Sequence, residues 1–218
     1  EAITERTRVI FVCNPNNPTG TIVTQAEVAA FMQRVPSSSV VVFDESYCDF
    51  VEDPSFPSAL DYVKNGQDNV LVLRGFSKAY GMANLRIGYA IGTHAMIHYL
   101  HHAQIVFNTG DPSLRAAAAA LDDQAHLQAT RELIAREREF VCQGLSDLDL
   151  AFVRSQTNFI LLIDLPIGAQ TLNEGMLRRG VIIRPMGGFG MADAIRVTLG
   201  TRAQNIRMLK ALKQVMEQ

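Results

Sequence analysis

The chain has 218 residues, 48% hydrophobic and 19% charged, with a formal net charge of -2. That balance provides for one large core or two smaller ones and shows no basic stripe, so no nucleic-acid partner is expected. The longest apolar runs are strand length, so no membrane span is expected. Three scattered cysteines (Cys13, Cys48, Cys142) without a CxxC pair fit a reducing compartment rather than a disulfide framework. Residues 1–10 (EAITERTRVI) have no signal-peptide layout, so the expectation is a soluble cytoplasmic protein.

Arg8–Cys13 (RVIFVC) reads as a buried strand that breaks into the rigid polar loop NPNNPTG. Thr24 and Glu27 have capping-box spacing and open a helix that runs to about Val35, ahead of Pro36. Val40–Phe43 (VVVF) is a second buried strand. A short helix around Ser58–Asn65 leads to a third strand, Val70–Leu73 (VLVL), and Arg86–Ile91 is a fourth. Continuous apolar strands alternating with helices imply a mainly parallel sheet covered on both faces.

Asp111-Pro112 has the form of an N-cap and first-turn pair for a helix carrying Ala116–Ala120. A long charged helical pattern follows from Asp122 to about Leu145, with Arg/Glu pairs suited to a solvated face. Beyond it the organisation changes. Ala151–Arg154, Asn158–Ile163, Val181–Arg184 and Ile195–Leu199 read as short strands, and helices are expected near Gly168–Arg179 and Thr201–Met216. The expected division is residues 1–121 as part of a large domain and 122–218 as a smaller α+β domain that begins with the long helix.

Ligands of parallel sheets collect at the carboxyl ends of the strands, and the polar clusters lie there. NPNNPTG follows the first strand, DESY the second and RGFSK the third. They offer an amide (Asn17), a strand-end carboxylate (Asp44), a phenol (Tyr47), a serine-lysine pair (Ser77, Lys78) and an arginine (Arg86). Taken singly, each reads more simply as a cap, a turn residue or a solvated charge. The ordered combination NPNNPTG, DESY and SKAYGMANLRIGYAIG is far more specific. It resembles the fold-type I pyridoxal-phosphate enzymes of the class I/II aminotransferases, and within them the histidinol-phosphate aminotransferase group. RPMGGFGMADAIRVTLGTRAQN resembles that group's segment for the substrate's anion, so the resemblance covers nearly the whole chain.

The resemblance implies an enzyme that uses pyridoxal 5'-phosphate, an electron sink whose aldehyde is held by a lysine amine. It assigns the Schiff-base and proton-shuttling role to Lys78 and pairs Asp44 with the pyridine nitrogen. Asn17 and Tyr47 match the positions that serve the ring oxygen, and Ser77 and Arg86 those that grip the phosphate. Arg196 matches the arginine that forks onto the substrate's anionic group, and Arg184 is a further candidate in that pocket. The implied reaction moves an amino group between an amino acid or amino-alcohol phosphate and 2-oxoglutarate, as in histidine biosynthesis, in a homodimer with its active site at the subunit interface.

Two departures from the family pattern stand out. Gly75 occupies the place, three residues before the lysine, where Ser or Thr commonly reaches the phosphate. The family also carries well over a hundred residues before its Asn/Pro loop, so the chain reads as a carboxyl-terminal portion of such an enzyme, with its first strand exposed where the rest would pack. Two rival readings are a decarboxylase of the same fold, similar to the threonine-phosphate decarboxylases, and a non-catalytic fragment without cofactor. His94, His98 and His102 recur at helical spacing beside His101, with no carboxylate or cysteine spaced to join them, so a helix surface or interface is expected and no metal site. Phe107-Asn108 resembles the family's substrate-side stretch but lacks the proline before it. Met186–Met191, with its glycines, reads as a flexible loop.

Overall fold

Strand β2 (Val40–Asp44) buries Val41, Val42 and Phe43, and β3 (Val70–Gly75) buries Val70, Leu71 and Val72. Strands this apolar on successive residues must be covered on both faces. The computed structural model describes residues 2–217 and sets these two strands side by side, parallel, at the centre of a sheet ordered β1-β2-β3-β4. Strand β1 (Val9–Cys13) runs parallel to β2, while β4 (Gly88–Ile91) runs antiparallel to β3. The β2–β3 register ends with Asp44 opposite Leu73.

The chain divides into two units, one formed by residues up to Pro15 with Ile22–Gln128 and the other by Asn16–Thr21 with Ala129–Gln218. In the first, helix α1 (Gln25–Met32) starts with the expected capping box. The Thr24 amide donates to Glu27 Oε2 at 2.7 Å and the Glu27 amide to Thr24 Oγ1 at 3.4 Å. Val28 and Met32 pack on Val41, Phe43, Val70 and Val72, with Ala59 from the turn before α2 (Leu60–Lys64). Helix α3 spans His94–Ala103 and α4 spans Asp111–Asp122, where Gly110 rather than Asp111 takes the N-cap position. A smaller cluster joins Phe76 and Ile87 to Ala117 of α4.

Strand β1 is not buried as its composition suggests. It lies at the sheet edge with Val9 49% and Phe11 73% exposed, while Val12, on its other face, packs on the core under α1. Gly88 is required by close approach, since a Cβ there would come within 2.9 Å of the Arg74 carbonyl oxygen across the β3–β4 pair.

Helix α5 (Gln124–Asp147) leads into the second unit, whose antiparallel sheet is ordered β5-β6-β8-β7. Its strands are β5 (Phe152–Val153), β6 (Phe159–Leu162), β7 (Arg184–Pro185) and β8 (Ile195–Thr198). Helices α6 (Ala169–Arg178) and α7 (Arg202–Met216) complete it. The expected strand at Val181–Arg184 is shorter and later. Gly180, at φ +68, ends α6, and the Val181 amide turns back to the Met176 carbonyl, leaving Ile182 86% exposed and without a ladder partner.

Glu137 of α5 ties α7 down. Its carboxylate is 1% exposed and accepts Arg202 Nε at 3.0 and 3.1 Å and Asn205 Nδ2 at 2.9 Å. Burial alone would raise its pKa, but the bonds from Asn205 and Arg202 outweigh it and hold the carboxyl below the ordinary 4.5. A carboxyl depressed in the folded state stabilises fully above its unfolded pKa and loses that contribution as pH falls through the folded value. Glu137→Gln should therefore cost about 1.5–3 kcal/mol at neutral pH, the scale of charge-assisted hydrogen bonds. Denaturant melts should also show the variant losing less stability than the parent as pH drops below about 4.5. Parallel pH curves would contradict the assignment.

Candidate functional site

The first unit gathers its chemistry just past the ends of β2 and β3. Asp44 is the last residue of β2, and its Oδ1 accepts the Ser46 amide at 3.0 Å and the Ser46 hydroxyl, which turns the chain sharply. That turn delivers Tyr47, 7% exposed, and the Lys78 Nζ stands 5.1 Å from the centroid of its ring. An ammonium over a phenol face at this distance is held by the ring quadrupole. Lys78 and Ser77 are half-buried in the turn after β3, closed by the Gly81 amide on the Lys78 carbonyl and the Met82 amide on the Phe76 carbonyl. Burial, with Asp49 beside it, pushes the Cys48 thiol up to about 12, so this neighbour of Tyr47 is no thiolate nucleophile.

The β3–β4 pairing carries on past Gly75 and Gly88 to the Phe76 amide on the Ile87 carbonyl, which leaves Ser77 and Arg86 at the next positions along. Arg86 is exposed, adopts a left-handed backbone at φ +50, and donates from Nη1 to the Ala83 carbonyl at 2.8 Å. Gly75 is not sterically imposed. A Cβ there would meet its nearest neighbours, Ile87 O and Gly88 Cα, at the ordinary distances of 3.6 and 3.7 Å.

Asn17 and Arg196 belong to the second unit and touch each other. Arg196 Nη1 donates to Asn17 Oδ1 at 2.5 Å, and its guanidinium carbon lies 4.7 Å from the centre of the Phe159 ring. Arg184 stands directly opposite Arg196 in the β7–β8 register, with its guanidinium carbon 5.5 Å from the Phe189 ring centre. Like charges directly opposite on one face of a sheet destabilise it. Two arginines so placed suit an anion.

The loop that carries Asn17 is braced by its own polar groups. The Asn16 amide donates to the Thr21 carbonyl and the Gly20 amide to the Asn16 carbonyl, both at 2.8 Å, while Asn16 Nδ2 reaches Thr19 Oγ1 at 2.7 Å. Gly20 is obligatory here, because its φ is +75 and a Cβ would overlap the Ser155 side chain. Asn14, 2% exposed, ties the two ends of the excursion. Its Oδ1 accepts the Val23 amide at 3.0 Å and its Nδ2 donates to the Val23 carbonyl at 3.2 Å.

Asn14, Glu45 and Arg74 were not singled out by sequence reasoning, although all three stand inside its motifs; the half-buried Arg74 guanidinium meets the buried Glu45 carboxylate at 2.6 Å. The histidines of α3 are exposed; His98 and His102 rings stack edge-on at 4.6 Å, and His102 Nδ1 lies 2.8 Å from the His98 carbonyl. Among the described residues no group of three or more metal-binding side chains converges, and no helix is long and apolar enough to cross a membrane. Phe107 is 97% exposed in a left-handed conformation.

The family described as aminotransferase class I and II matches residues 1–212. The chain belongs to that family. A histidinol-phosphate aminotransferase of Moorella thermoacetica is 41% identical over 99% of the chain, which spans 55% of that relative's length. The solved structure of histidinol-phosphate aminotransferase from Sinorhizobium meliloti, in complex with pyridoxal-5'-phosphate, superposes with a TM-score of 0.87 at 29% identity, over 96% of this chain and 57% of that one. L-threonine-O-3-phosphate decarboxylase from Porphyromonas gingivalis gives 0.85 at 26% identity, over 100% of this chain and 67% of that one. The α/β architecture with its mainly parallel first sheet is thus that of the family.

Asn14→Ala removes both bonds that close the loop on Val23 and leaves the site buried. A stability loss of about 1–3 kcal/mol is expected, with faster hydrogen exchange at the Val23 and Gly20 amides. Unchanged protection there would show that Asn14 is not the brace.

Proposed function

We propose that the chain carries the lysine and much of the cofactor-binding set of a pyridoxal 5'-phosphate-dependent aminotransferase. Its substrates are histidinol phosphate, or a similar amino-alcohol phosphate or amino acid, and 2-oxoglutarate, and its working form is a homodimer with the active site at the subunit interface. The observation that carries this reading is the Lys78 amine poised 5.1 Å over the Tyr47 ring at the carboxyl ends of β2 and β3, in a chain of this family.

The donor set suits the cofactor. An amine, a phenol, a strand-end carboxylate and a hydroxyl lie at neighbouring strand ends. When bound, the cofactor supplies the electron sink that stabilises charge on a substrate's α-carbon. Lys78 would hold its aldehyde carbon and would serve as the base for the proton on the substrate's α-carbon. Asp44 would pair with the pyridine nitrogen. Tyr47 would donate toward the ring oxygen, and Ser77 and Arg86 would hold the phosphate through charge-assisted bonds. In the second unit, Asn17 Oδ1 accepts Arg196 Nη1, and by resemblance to the family Asn17 would serve the ring oxygen. Arg196 binds the substrate's anionic group by a two-point fork, with Arg184 opposite it to balance a doubly charged phosphate.

The structural match to a threonine-phosphate decarboxylase supports a second reading, in which the same residues serve loss of carbon dioxide. Product analysis separates the two, since an oxo product marks transamination and carbon dioxide release marks decarboxylation.

Incubation with pyridoxal phosphate, borohydride reduction and peptide mapping tests the assignment. The pyridoxyl group is expected on Lys78 and absent from that peptide in Lys78→Ala. Preferential labelling of Lys64, Lys210 or Lys213 would overturn it.

A further inference from the structure

We propose that Glu45 and Arg74 are positioning residues, an ion pair between a buried carboxylate and a half-buried guanidinium that holds Tyr47 against Lys78 beyond the end of the β-ladder. The proposal rests on the reading of Lys78 as the reacting amine. The ladder between β2 and β3 stops at the pair Asp44 and Leu73. Tyr47 and Lys78 both lie past that last rung, where backbone pairing no longer fixes one strand against the other.

Glu45 and Arg74 are the next residues along, and their side chains continue the connection. Arg74 donates to Glu45 Oε2 from Nε at 2.9 Å and from Nη2 at 2.6 Å. The other oxygen, Oε1, accepts the buried Ala59 amide at 2.7 Å. The Glu45 backbone takes part as well, its amide donating to the Leu73 carbonyl at 2.9 Å and its carbonyl accepting the Cys48 amide at 3.0 Å. One residue therefore bonds the end of β3, the start of α2 and the turn that delivers Tyr47.

The carboxylate is 2% exposed, and a charge so buried is retained only where it is paired and hydrogen-bonded. A two-point guanidinium grip also fixes angle as well as distance. On the other strand, Arg74 leads into Phe76, which is 3% exposed and packs on Tyr80 and Tyr89. The turn carrying Lys78 thus leaves β3 from two fixed side chains. Asp44 and Glu45 divide the work. Asp44 turns the chain through Ser46, while Glu45 locks it to β3.

The test uses the 218-residue chain without cofactor. Reductive 13C-methylation keeps each lysine charged, and the Tyr47 ring should displace the Lys78 methyl resonance from those of Lys64, Lys210 and Lys213. Tyr47→Leu, which abolishes the displacement, assigns it. Glu45→Gln and Arg74→Lys should each remove at least half of the displacement while still melting cooperatively. A merely structural pair would lower the melting temperature and leave the resonance in place, and that result in either folded variant overturns the proposal. Should Glu45→Gln fail to fold, Arg74→Lys decides, since it keeps the charge and loses only the two-point grip. A parent chain with no displaced resonance would also overturn it. The functional reading fails separately, through borohydride label that avoids Lys78 while the resonance responds as described.

Discussion

Two parallel strands, β2 and β3, are apolar on both faces and hold each other through a ladder that ends at Asp44 and Leu73. Asp44, Tyr47, Ser77 and Lys78 sit at or just past that last rung. Parallel strands deliver their carboxyl ends to the same side of a sheet, so they deliver Asp44, Tyr47, Ser77 and Lys78 to one edge. The same geometry sets a difficulty, because backbone pairing cannot reach past its own end. The Ser46 bonds on Asp44, the Glu45–Arg74 pair and the Phe76 amide on Ile87 carry the order a few residues further. The ammonium of Lys78 over the Tyr47 ring is where that order ends.

The second unit solves a different problem. It holds two guanidiniums opposite each other on β7 and β8, a pairing that destabilises a sheet. Asn17 Oδ1 and the Phe159 face occupy Arg196, and Phe189 occupies Arg184. Beside β8 in the sheet, β6 is buried along its whole length, and Glu137 secures α7 to α5. The arginines thus stand on strands of a sheet whose neighbouring strand β6 is buried.

Much of this was legible in the order of residues because it is local. VVVF and VLVL announce buried strands, Thr24 with Glu27 announces a capped helix, and three polar clusters mark three strand ends. What was misread depended on partners distant in sequence. Val181–Ile183 has the composition of a strand, yet Gly180 spends that stretch on closing α6. Val9 and Phe11 look like core residues, and only their place on the edge strand leaves them exposed. Glu45 and Arg74 carry no signal in the sequence, and only the parallel pairing brings them to 2.6 Å. Asn14 passes for an ordinary turn residue, and its bonds to Val23 appear only once the loop is closed.

The central claim is that one amine, that of Lys78, is set to capture an aldehyde cofactor. Absorbance titration with pyridoxal phosphate, run side by side on the parent chain and on Lys78→Ala, measures this most directly. The account predicts a near-ultraviolet to visible band that grows with the parent chain and does not form with the variant. Equal bands in both would mean that some other amine takes the aldehyde, and the account of the site would be wrong.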